Sequence, residues 1–246
     1  ETFPINITNG VSVIYPGSGP AICRFEGSST PNACFRLAAV MDDNIELRGF
    51  TVSNFGTGID IAAGSSTNAH LLNIEGCDFE IITVDGVRAE LAGSTEIFWV
   101  RDCNFAGTSA TGAGVSVELG SGAALSTSVV QDCSILGFDI GVSVTAGPGA
   151  AVITNSSIQR NYIDGGGSGS RGIVVAGSGD AALGAITGLA VSGNSVTGFT
   201  DAGLYLEAAS VSGRSVLVNG DVDHNVFFNN GVNVRLVTIN NGASGA

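Results

Sequence analysis

VRDCNF at Val100–Phe105 and VQDCSI at Val130–Ile135 are one phrase written twice: an apolar residue, two polar residues, Cys, a spacer and an apolar residue. Read outward, the phrase recurs as LRGFTV at Leu47–Val52 and IEGCDF at Ile74–Phe79 on one side. On the other it recurs as ITNSSI at Ile153–Ile158, VSGNSV at Val191–Val196 and VDHNVF at Val222–Phe227. Successive copies of the fourth position stand 27, 26, 30, 23, 38 and 31 residues apart. Self-similarity at a few tens of residues marks a stack of like structural units.

Each phrase is followed by Gly, apolar, any residue, apolar. Gly58-Ile59-Asp60-Ile61, Gly86-Val87-Arg88-Ala89 and Gly114-Val115-Ser116-Val117 are examples, and the last copy is Gly231-Val232-Asn233-Val234. Gly10-Val11-Ser12-Val13 reads as an early copy, preceded by the alternating Ile5-Asn6-Ile7. Alternation with a period of two is the strand signature with one face buried. No segment carries a helical period. The strand phrases hold their form while the spacings vary, so the length differences belong to the turns.

Short strands with repeated inward residues are satisfied by coiling, each unit pairing in parallel with the next. The expected fold is all-β: a single-stranded right-handed parallel β-helix of about eight rungs, on the order of 40 Å long at about 4.8 Å per rung. One domain spans residues 1–246. Residues 1–46 are expected as irregular first rungs with a Cys23/Cys34 loop, 47–239 as regular rungs and 240–246 as a tail. Val52, Phe79, Phe105, Ile135, Ile158, Val196 and Phe227 should form one inward column. The fourth phrase position gives a structural ladder of Cys77, Cys103, Cys133, Ser156, Asn194 and Asn225, beginning at Phe50. With these residues in place the chain resembles the right-handed parallel β-helix superfamily of the pectate lyases, whose members often stack Asn at the bend between the second and third strands. Asn194 and Asn225 match that ladder, and the three cysteines stand as an apolar replacement. ETFPINITNGVSVI at Glu1–Ile14 also resembles the start of an uncharacterised bacterial β-helix family. A fold-level likeness carries no chemistry by itself.

Composition agrees. The 246 residues include 37 Gly and are 44% hydrophobic, which suits repeated tight bends around aliphatic columns. Gly165–Ser170, GGGSGS, reads as a long bend rather than a linker, because the repeat resumes at Gly172. Net charge is −13, with nine Arg and no Lys. That balance argues against nucleic acid, which needs a basic footprint, and against anionic membrane surfaces. No apolar run approaches the roughly 20 residues of a membrane span, so membrane insertion is not expected.

Cys23 and Cys34 flank an irregular stretch, and a disulfide closing it would place the chain in an oxidising, extracellular or cell-surface setting. Cys77, Cys103 and Cys133 read as stacked buried thiols. Their rung spacing falls inside the disulfide window, but a line of equivalent positions does not make a zinc tetrahedron.

Enzymes of the resembled superfamily act on polysaccharides from one outward sheet, with Ca²⁺ held by carboxylates and an Arg or Lys base, or with paired Asp. The outward positions of the Gly-led strands gather Asp60, Arg88, Glu90 and Glu118 on three adjacent rungs. These four are the weak catalytic candidates, and the simpler account is that Arg88 pairs with Asp60 and the glutamates as a solvated surface ladder. Arg235 is expected to pair with Glu207. The hydrolase motifs Gly-His-Gly and Arg-Ile-Lys are absent from the sequence. His70 and His224 are the two histidines, and nothing in their positions makes them a pair. No cofactor is expected, Ca²⁺ being the one ion the resemblance would bring. The functional expectation is a secreted, non-catalytic structural or adhesive solenoid, whose first strand starts at once and whose ends stack head to tail on copies of itself. The alternative is a β-helix that binds or degrades an extracellular polysaccharide.

Overall fold

A two-residue bend, repeated coil after coil, organises the molecule. The computed structural model describes residues 3–7, 12–15, 23–28, 32–37, 44–61, 71–108, 111–147, 151–179, 185–211 and 217–241. Among them the chain is all strand and turn, without helix, and every strand pairing is parallel. One coil shows the pattern. Ser94–Arg101 lies on face A, Asn104–Gly107 on face B and Ala113–Leu119 on face C. Ala124–Gln131 then returns to face A beside the first strand. Face A is a nine-stranded sheet in which Val152–Thr154 and Ser156–Gln159 share one coil, giving eight coils. Faces B and C join into a sheet of fifteen because Tyr162–Gly179 and Ser195–Val211 run continuously around the corner between them. The protein is a parallel β-solenoid.

The bend between faces A and B explains the phrase. Its first residue is left-handed in coil after coil: Gly49, Gly76, Asp102, Asp132, Arg160, Gly193 and His224 have φ between 51° and 76°. Gly enters that region freely, and Asp more readily than most residues. Its second residue is the ladder position, turned inward. The residue after it donates its N–H to the ladder carbonyl of the preceding coil at 2.8–3.0 Å, from Thr51 on Cys23 to Val226 on Asn194.

Like residues stack along the axis. Val52, Phe79, Phe105, Ile135, Ile163 and Val196 form the buried face B column. The Phe79 and Phe105 rings lie 4.6 Å apart and 6° from parallel. Ile59, Val87, Val115, Val142, Ile173 and Leu204 form the face C column, each fully buried.

Register corrects the sequence reading at four places. The sixth coil's phrase is IQRNYI at Ile158–Ile163, with Asn161 on the ladder. Ser156 lies two positions before that phrase begins, on face A opposite Ser128, and Ile158 stacks between Val130 and Val191. The uneven spacings of 23 and 38 residues thereby become 28 (Cys133 to Asn161) and 33 (Asn161 to Asn194). Val13 pairs with Leu47 on face A, while Ile5–Ile7 occupies face C against Phe35–Leu37. Gly10 and Val11 lie outside the described residues. In the last coil Val232 faces Ala202 and Val234 faces Leu204, two positions from the alignment of the Gly-led motifs. Cys23 occupies the ladder position before Phe50, with Phe25 facing Val52. Of the expected tail, Asn240 and Asn241 belong to a face C strand, and residues 242–246 lie outside the described residues.

Two glycine substitutions separate backbone strain from crowding. A Cβ on Gly76 would meet nothing within 4 Å, but φ there is +60°. A Cβ on Gly86 would strike the Gly114 carbonyl and the Phe105 ring. Gly76→Ala is expected to cost about 1 kcal/mol, with Gly76→Asp costing less. Gly86→Ala should cost about 1–3 kcal/mol. Guanidinium unfolding midpoints check both, and equal stability of Gly76→Ala and the parent would refute the strained bend.

Candidate functional site

Face C carries the residues with the most chemistry. Its outward positions run Arg36, Asp60, Arg88, Ser116 and Ser143 along one column. Glu90, Glu118, Thr145, Ala176 and Glu207 form the adjacent column. The sequence places Asp60, Arg88, Glu90 and Glu118 on adjoining coils, and the structure brings them together there.

Asp60 is 2% exposed and held between two guanidiniums. Arg36 Nε donates to Oδ2 at 3.0 Å, and Arg88 Nε donates to Oδ1 at 3.0 Å. Both carboxylate oxygens are thereby engaged. Arg88 also reaches Glu90, 3.8 Å away. Glu118 lies opposite Glu90 and is exposed. Behind them Asp85 accepts the Ala113 N–H at 2.7 Å, and burial raises its carboxyl above the ordinary range against the pull of that bond and of Arg88.

Beside Glu118 a shallow trough of ≈ 330 Å³ continues along the axis to Glu207, floored by Ser116, Ser143, Thr145 and Ala176. At its far end Tyr205 donates its hydroxyl to Glu207 at 2.9 Å, and the Arg171 guanidinium stacks 3.9 Å from the Tyr205 ring centre. Arg235 does not pair with Glu207. The two-position register shift sets it opposite Tyr205, where it joins Arg171 in clasping Asp201.

An Arg–carboxylate–Arg sandwich thus occurs twice on face C. A third stands on face A, where Glu75 lies between Arg48 at 3.3 Å and Arg101 at 3.0 Å. Arg160 grips Asp132 through two bonds, and Arg24 binds Glu26 and Glu80. All eight described arginines are committed to carboxylates, and Arg214 lies outside the described residues. Arg36 and Asp201 escaped the sequence reading because their pairing depends on coil-to-coil register.

The ladder changes chemistry along its length. Asn161 Nδ2 donates to the Val130 carbonyl at 2.9 Å and to Asn194 Oδ1 at 3.0 Å, and Asn194 repeats this on Ile158 and Asn225. The thiols of Cys77, Cys103 and Cys133 approach the corresponding carbonyls of Leu47, Ile74 and Val100 at 3.5–3.8 Å. Cysteine therefore keeps the direction of the amide bond and surrenders most of its strength. Ser156 lies elsewhere, its buried hydroxyl unpartnered like that of Ser128. Cys23 is half-buried at the ladder position and Cys34 is buried in the face C strand Ala33–Leu37. His224 occupies the left-handed bend position beside Asp223, and His70 lies outside the described residues.

Among the described residues no group of three or more His, Cys, Asp or Glu is arranged to hold a metal ion, and no helix is long and apolar enough to cross a membrane. No family model, curated protein or solved structure matches the chain.

The Asp60 sandwich predicts non-additivity. Arg36→Ala and Arg88→Ala should each cost about 1 kcal/mol or less, since the other guanidinium stays. The double variant strands a buried carboxylate and should cost about 3 kcal/mol, between the values for exposed and buried pairs. A double-mutant cycle by chemical denaturation measures the difference, and simple additivity would refute the shared clasp. Asp85 supplies a pH test. A carboxyl raised in the folded state favours folding while protonated, and that contribution is lost as pH rises through the ordinary carboxylate range. Asp85→Asn keeps the acceptor for Ala113, so its stability relative to the parent should grow as pH rises from about 3 to 7, followed by unfolding midpoints at each pH.

Proposed function

We propose that this protein is a secreted or cell-surface solenoid with a structural or adhesive role, non-catalytic and stacking end to end, of pectate-lyase-like β-helix ancestry and right-handed coil. The observation that carries this reading is the exposed interior of the last described coil. Val222, Val234 and Leu236 continue columns that are buried in the central coils, yet they stand 43%, 43% and 71% exposed. Among the described residues Val232–Asn241 pairs along one edge, with Ser195–Val211. Ile5–Ile7 at the opposite end likewise pairs along one edge, with Ala33–Leu37. Two such edges, each followed by an inward apolar pattern of the same period, fit one another as a heterologous contact, and contacts of that kind propagate into filaments. The committed arginines of the outer faces agree with a scaffold, because a lyase base must be uncommitted.

A second reading has its own observation. The hydroxyl-floored trough from Glu118 to Glu207 crosses three coil intervals, about 14 Å, and suits an extended polysaccharide, with Ca²⁺ as the ion its carboxylates would recruit.

Electron microscopy across a concentration series separates the two. Filaments with an axial repeat near the rod length, lost in Leu236→Asp, are the expected result. Ile7 is 3% exposed, so a charge there would break the core rather than test assembly. Single rods at every concentration would overturn the stacking reading. A glycan array answered by the parent and not by Glu118→Ala would then favour the polysaccharide.

A further inference from the structure

The thiol half of the ladder has a geometry of its own. Cys77, Cys103 and Cys133 stand on three successive coils at 0%, 1% and 3% exposure. Each sulfur points the same way, toward the carbonyl three residues before the previous ladder position and toward the carbonyl two residues back in its own strand. Side chains that share one orientation on stacked parallel strands are translated copies of one another. Their sulfurs are therefore separated by the coil spacing, about 4.8 Å.

That separation decides what the thiols can bind. A disulfide needs sulfurs about 2.05 Å apart, so at least one side chain would have to leave its position. A two-coordinate metal with bonds to thiolate of about 2.3 Å needs sulfurs about 4.6 Å apart on opposite sides of the ion, which the ladder already provides. Four-coordinate zinc is not served by a line of sulfurs.

Charge then selects among soft ions. A bis-thiolate of Cu⁺ or Ag⁺ carries a net negative charge, which a dry interior without a facing cation disfavours strongly. A bis-thiolate of Hg²⁺ is neutral. We propose that Cys103, together with Cys77 or Cys133, forms a linear site for one soft divalent cation of the Hg²⁺ type. Binding is not a redox step: two thiols lose their protons to solvent, two metal–sulfur bonds form, and the complex is uncharged. Because both pairs share Cys103, one ion fills the ladder and one outer thiol stays protonated. Each ion bound releases two thiol protons, so uptake should weaken as pH falls. Cys23 is cut off from this group by the Phe50 coil.

The test uses the full chain carrying Cys23→Ser and Cys34→Ser, reduced and free of chelator, titrated with mercuric chloride. Thiolate-to-mercury absorption in the ultraviolet and proton release are followed together in a first titration without a monothiol competitor, and the competitor is then added to rank affinities. The expected result is one ion and two protons per chain. Cys77→Ser and Cys133→Ser should each retain the ion, because one pair survives. Cys103→Ser should lose it, with affinity falling at least about 100-fold as chelation is lost. The Cys77→Ser/Cys133→Ser variant should lose it equally while keeping Cys103, which separates the site from any folding defect of Cys103→Ser. Retention of the tight ion in either of those two variants, or its loss in both single outer variants, overturns the proposal.

Discussion

Everything in this molecule depends on one residue per coil accepting a left-handed backbone while the next turns inward. The segment from the last inward residue of face A to the ladder is invariant in length. Leu47 leads to Phe50, Ile74 to Cys77, Ile158 to Asn161 and Val222 to Asn225, three residues each time. The other two corners are elastic: the ladder precedes the face C column by nine residues from Phe50 to Ile59 and by twelve from Cys103 to Val115. A fixed corner sets the angle between two sheets and the register of the ladder carbonyls. Once that register is fixed, the remaining turns vary in length without disturbing the columns.

The same corner shows why the fold was legible in the sequence and why certain details were not. A phrase that must supply apolar, left-handed, inward and apolar positions in order leaves a strong periodic trace, and seven coils carry it. ITNSSI imitated it for a physical reason. Asn155 is itself left-handed at φ 53° and the following Ser156 is buried, because a kink divides the face A strand there. IQRNYI, three residues after Asn155, satisfies the same phrase and evens the spacing, but Arg at the left-handed position is an unfavourable choice that masked it. The misplaced Gly231 has another cause. Asn230 fills the corner with its side chain, accepting the Phe199 N–H and donating to the Val196 carbonyl, and the strand that begins at Val232 pairs two residues out of the register its glycine suggests.

The candidate site was legible to the same depth. Outward parity on the Gly-led strands was enough to gather Asp60, Arg88, Glu90 and Glu118. The guanidinium on the far side of Asp60, the buried Asp85 and the Asp201 clasp were not visible, since they depend on which coil lies above which. Those partners change the chemistry. A carboxylate with both oxygens occupied by arginine is neither a nucleophile nor a base, and Asp60 serves as a fastening between coils.

The interchange of Cys and Asn on the ladder has a consequence for how such a chain can evolve. Either side chain addresses the same carbonyl from the same corner, and each coil pairs its strands with the coil on either side. A coil is therefore a replaceable part. Duplicating or deleting one at the level of the gene lengthens or shortens the rod while leaving most existing contacts in place, which makes the length of the molecule a quantity that selection can adjust almost independently of its cross-section.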